Sequence, residues 1–120
     1  MDRLALAEKI IAQTLRRLPS AIRGVAGEIP VTLMDKPTPD LLEPDLEPDL
    51  LGLFVGESYD ALGATDFPLP AQIFLFLDNI LDYVEGDEDA FRDEVRRTYL
   101  HELGHYFGWD EDDLAERHLD

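Results

Sequence analysis

The stretch FRDEVRRTYLHELGHYFG, Phe91 to Gly108, with WDEDD, Trp109 to Asp113, behind it, sets the terms for the rest of the chain. It reads as one helix. Asp87 or Asp89 stands at its start, where acidic residues cap free amides and favour the helix dipole. Gly108 stands at its end, where glycine takes the left-handed conformation that closes a C-terminus. Phe91, Val95, Thr98, Leu100 and Phe107 offer apolar or small faces, and Arg92, Arg96 and Arg97 lie outward. His101 and His105 are four positions apart, so they share a face with β-carbons about 5–6 Å apart, and two imidazoles there can grip one metal ion. Glu102 projects beside the pair, within reach of a water at the ion's open position, which makes it the candidate general base.

Two imidazoles do not complete such a site, because catalytic zinc usually takes three protein ligands and leaves the fourth place for water. If the helix ends at Gly108, the chain folds back beneath the metal and delivers Asp110, Glu111, Asp112 and Asp113. A carboxylate is therefore at hand. Glu111 is the preferred third ligand, with Asp110 the neighbouring alternative. His118, the one remaining histidine, lies further on and as a ligand would displace Glu111.

HELGHYFGWDE resembles the extended pattern His-Glu-x-x-His-x-x-Gly-x-x-acid of the aspzincin-type metallopeptidases. More narrowly, the chain resembles the small bacterial zincin-like metallopeptidases, single domains of about this length with the motif near the C-terminus. The likeness includes LLGLFVG at Leu50 to Gly56, PAQIFLFLDNI at Pro70 to Ile80, and the helix from Phe91 to Gly108. It implies zinc, one ion per chain, on His101, His105 and Glu111, with Glu102 as catalytic base and a peptide or protein as substrate. Glu111 departs from the aspartate that defines aspzincins, being one methylene longer.

The implied fold class is α+β, a single zincin-like domain over residues 1–120 in which a short mixed sheet packs against an N-terminal helix and the active-site helix. Composition agrees. The 120 residues, 45% of them hydrophobic, suffice for one core. There are no cysteines, which removes disulfides, thiolate metal sites and a thiol nucleophile, and fits a reducing cytoplasm. Charges break the apolar runs of the N-terminus, and no stretch nears the ~18 apolar residues of a membrane span, so the expectation is a soluble cytoplasmic protein, plausibly a monomer. A net charge of −17 with only ten Lys and Arg argues against nucleic acid as a partner.

Leu4, Ala7, Ile11, Leu15 and Leu18 recur at three- and four-residue steps, which predicts a first helix stopping near Pro19 with that stripe as its core face. A short turn is expected around Ser20 to Gly27 and a strand over Ile29 to Met34, with Val31 and Leu33 inward. KPTPDLLEPDLEPDLLG, with its prolines and LEPD repeat, reads as a surface connector, or as a flap offering carboxylates to the metal. Strands are expected at Leu51 to Val55 and Ile73 to Leu77, with Glu57 to Pro70 irregular between them, and short helices at Asn79 to Val84 and Leu114 to Leu119. Leu53 to Val55 is the candidate edge for pairing with an extended substrate.

Blander readings stand beside these. The motif arises by chance on exposed helices, but here Gly108 and a correctly spaced acid extend it, in a chain holding three histidines. Tyr99 and Tyr106 are alternative proton donors, although a helical tyrosine near a sheet is more often packing. Arg96 or Arg97 could hold a substrate carboxylate. Met1 and Met34 are the only methionines, so no Met-turn follows the motif. Two other functions remain: a non-catalytic metal-binding or regulatory protein, and a metal-dependent endoribonuclease. The run His-x-x-x-His-x-x-Gly-aromatic-Asp resembles the latter, but Glu111, Glu102 and the acidic surface disfavour RNA.

Overall fold

The strand Gln72–Phe76 (β3) is the centre of the molecule, paired on both sides and buried at Ile73, Leu75 and Phe76. The computed structural model describes residues 1–41, 46–56 and 70–117, with the backbone alone for Glu111. Val31–Met34 (β1) runs parallel to β3, Val31 opposite Ile73, and Gly52–Val55 (β2) runs antiparallel to it, Phe54 opposite Ile73. Among the described residues the mixed sheet thus has the order β1-β3-β2, with β2 at one edge. Apolar residues in an unbroken run suit a strand that has neighbours on both sides and helices packed on it.

Among the described residues five helices accompany the sheet: α1 (Arg3–Arg16), α2 (Ser20–Gly27), α3 (Leu77–Tyr83), α4 (Glu88–Phe107) and α5 (Glu111–Glu116). α4 packs against both α1 and the strands β2 and β3. Phe91, Val95, Tyr99 and Leu103 on its buried side join Ile73, Leu75, Leu77 and Ile80 in one core. Its start follows the expected chemistry, with the Asp87 carboxylate accepting from the Ala90 amide at 2.9 Å and Glu88 and Asp89 in the first turn. The expected α+β architecture is therefore present, with the helix that carries His101, Glu102 and His105 laid across the sheet. Among the described residues no helix is long and apolar enough to cross a membrane.

Three local expectations are corrected. Ser20–Gly27 is a helix rather than a turn. The Pro19 carbonyl accepts from the Ile22 and Arg23 amides at 3.1 and 3.0 Å, and Ile22, Val25 and Ala26 pack on the core, which outweighs the two glycines that weaken the sequence signal. In α1 the buried residues are Ala7, Ile10 and Thr14, with Ile11 and Leu15 packed beside them and Leu18 buried just past the helix, while Leu4 is 49% exposed. Thr14 escaped the apolar count because its hydroxyl is satisfied inside the helix, donating to the Ile10 carbonyl at 2.7 Å. Finally, the last helix begins at Glu111, not Leu114, because Asp110 and Asp113 form a capping box.

The Pro-rich connector, where described, runs through turns, and residues 42–45 lie outside the described residues. Its end is tied down: the Asn79 side-chain amide donates to the Pro48 carbonyl at 3.0 Å and the Leu50 carbonyl at 2.8 Å. This fixes the entry into β2. Of the irregular stretch expected at Glu57 to Pro70, residues 57–69 lie outside the described residues.

Candidate metal centre

The last turns of α4 bring His101 and His105 to the surface side by side, their ring centroids 4.9 Å apart and nearly perpendicular. Glu102 lies beside the pair but is only 7% exposed, covered by the edge of the sheet. Potential ligand atoms of His101, Glu102 and His105 lie within 4.8 Å of one another, and Glu102 Oε1 is 3.9 Å from His105 Nε2. Burial, helped by the positive charge His101 can carry, lowers the pKa of His105. That favours the neutral imidazole, the form with a lone pair for a metal. A nitrogen-rich donor set on one exposed face, with an oxygen beside it, fits zinc better than the all-oxygen shells preferred by calcium or magnesium.

β2 supplies the other wall. The Leu51 carbonyl accepts from the Phe76 amide at 3.0 Å, so the alternation of an antiparallel pair turns the Leu53 and Val55 backbone toward β3 and that of Gly52 and Phe54 toward the open edge. There the Phe54 backbone amide donates to the Glu102 carboxylate. Burial raises the Glu102 pKa from an ordinary 4.5 to about 7, and this hydrogen bond only partly opposes the rise. The result is a carboxyl that exchanges a proton near neutrality, which is what a general acid and base requires.

The approach of strand to helix depends on a residue that sequence reasoning passed over. A β-carbon on Gly52 would stand 2.7 Å from Thr98 Cγ2 and 3.1 Å from Glu102 Cγ. Glycine is the side chain that fits. The signal was an isolated glycine inside a strand pattern, which marks close backbone approach. Behind Glu102 on the same helix face, Glu94 is also buried, accepts from the Thr98 hydroxyl at 3.2 Å and meets Arg97 at 3.6 Å.

Beyond the histidines, Gly108 takes the left-handed conformation with φ 73° and ψ 24°. The Trp109 amide donates to the Gly104 carbonyl at 2.8 Å and the Gly108 amide to the His105 carbonyl at 3.2 Å, a Schellman ending. Gly104, inside the motif, makes room for the returning chain, since a β-carbon there would lie 3.3 Å from the Trp109 carbonyl and 3.5 Å from Leu114 Cδ1. The turn is held by aromatic contacts, Phe107 stacked on Trp109 at 4.8 Å and the Arg117 guanidinium 4.2 Å above the Trp109 ring.

Asp110 then caps α5, its carboxylate accepting from the Asp113 amide at 2.8 Å while Asp113 accepts from the Asp110 amide at 3.1 Å. Asp110 is thus committed to the cap. The backbone of Glu111 stands at the first position of α5, and its side chain, like His118, lies outside the described residues. Tyr99 and Tyr106 are 1% and 6% exposed and pack in the core, Tyr106 edge-on to Phe54.

No curated protein matches the chain. The model of one family, described as zincin-like metallopeptidase, matches residues 26–119, from the end of α2 through β1, all of α4 and α5. The chain belongs to the zincin-like metallopeptidase family.

Proposed function

We propose that the protein is a zinc-dependent peptidase in which His101, His105 and Glu111 hold the metal and Glu102 moves the protons. The observation that carries this reading is the position of Glu102, buried under an open strand edge beside two exposed imidazoles, with a proton affinity near neutrality. The chemistry that zinc supplies at such a site is Lewis acidity toward a water and toward a peptide carbonyl. The Glu102 carboxylate takes a proton from the attacking water and returns it to the nitrogen of the leaving amine. His101 and His105, both exposed on one face of α4, would hold the metal beside Glu102. An extended peptide lies along the outer side of β2, pairing with the outward backbone of Gly52 and the Phe54 carbonyl, and this orients its own carbonyl toward the histidine face. The absence of cysteine suits work in the cytoplasm.

The test is hydrolysis of an unstructured peptide pool by zinc-loaded protein beside Glu102→Gln. Cleavage that falls by about 10²-fold or more in the variant, with zinc retained, supports a peptidase. Zinc retained by both proteins with no cleavage by either points to a non-catalytic binder, and cleavage of RNA that depends on Glu102 points to a nuclease.

A further inference from the structure

A cavity opens on the side of α4 away from the histidines. It measures about 330 Å³ and lies between α4 and the C-terminal half of α1. Ile10, Leu18 and Leu100 give it an apolar floor, and Arg17, Arg92 and Arg96 stand around its mouth. In a chain with net charge −17 and ten Lys and Arg, three of the ten converge here. Arg92 and Arg96 are one turn apart on α4, a like-charge spacing that works against the helix. The carboxylate in the lining is Asp93. Among the described residues no carboxylate lies within ion-pair distance of Arg17 or Arg92.

Arg92 and Arg96 precede His101 by nine and five residues, which puts them roughly 180° and 140° around the helix and about 13 and 7 Å along it. The cavity therefore faces away from the histidines and is separate from the metal centre. Guanidinium groups bind carboxylate and phosphate oxygens through paired hydrogen bonds. An apolar floor beneath them adds affinity for a compact hydrocarbon group, and the volume is at the small end for ligand pockets. We propose that this cavity binds a small organic oxyanion, a phosphate or carboxylate attached to a compact apolar group, independently of the metal centre.

The test is a nitrogen-15 NMR titration of the full chain with phenyl phosphate, run with and without added zinc, with benzyl alcohol as the uncharged comparison. The expected result is saturable shifts of the Gln13, Arg17, Arg92 and Arg96 amides with half-saturation at or below about 1 mM. Inorganic phosphate binds more weakly at the same amides, because it leaves the apolar floor uncovered. Arg92→Gln combined with Arg96→Gln weakens binding about tenfold or more. Asp93→Asn strengthens it a few-fold by removing the opposing charge, and a gain of affinity cannot come from a damaged fold. The proposal is overturned by shifts confined to residues 101–108, by an equal response to benzyl alcohol, or by unchanged affinity in the arginine variant. It is overturned equally if Asp93→Asn leaves the affinity the same or lowers it.

Discussion

Glu102 loses most of its hydration under β2, and the cost of that burial falls on its charged form. The sign of the resulting pH dependence is fixed. With a folded pKa of about 7 against 4.5, the folded state holds a proton that the unfolded state has released, so in metal-free protein stability falls as pH rises from about 4.5 to about 7. The size of the loss is on the order of 3 kcal/mol. Chemical denaturation across that range compares wild type with Glu102→Gln. The variant is expected to lack this component of the slope and to be the more stable of the two at pH 8, and identical slopes would remove the buried carboxylate from the account. On the proposed reading, Glu111→Ala should release zinc after dialysis against a trace chelator, while Asp110→Ala, which strips a cap, should cost about 1 kcal/mol of stability and retain the metal. Elemental analysis of both settles which acid is the ligand.

Strand β2 reaches α4 because of one missing side chain. Gly52→Ala places a β-carbon against Thr98 and Glu102 and is expected to destabilise by about 1–3 kcal/mol. It should also reduce peptide cleavage, since the Phe54 amide moves from Glu102. Gly24→Ala makes the opposite case: nothing stands within 4 Å of the added carbon, and α2 should gain about 0.5–1 kcal/mol. Thermal melts of the two variants moving in opposite directions would bear out the contrast. The same comparison explains what could be read before the fold was known. α4 was legible almost residue by residue, because Asp87, the His101–His105 spacing and Gly108 are local chemistry acting within one helix. The unbroken run at Ile73 likewise announced β3. α2 was not legible, since its stability comes from Ile22, Val25 and Ala26 docking on distant residues. Thr14 was missed because its polarity is cancelled within its own helix. An isolated glycine in β2 signals that something approaches closely, but that the neighbour is α4 depends on a contact between segments far apart in sequence.

At the scale of the molecule, −17 charges on one small domain repel each other across short distances. Salt screens such repulsion beyond about 8–10 Å, so raising sodium chloride from about 10 to about 150 mM should lift the melting midpoint by several degrees. A melting point that fell with salt would show ion pairs, rather than repulsion, governing stability. The sheet order adds a different handle on the same molecule. β3 is bonded on both sides and β2 on one, so the amides of Ile73 and Phe76 should be among the slowest to exchange with deuterium, with the Gly52 edge faster. Phe54 breaks that ranking, because its amide faces the open edge yet is bound to Glu102. Its exchange rate, corrected for intrinsic pH effects, is therefore a single-atom meter of the carboxylate: protection is greatest while Glu102 is charged and falls as it takes a proton.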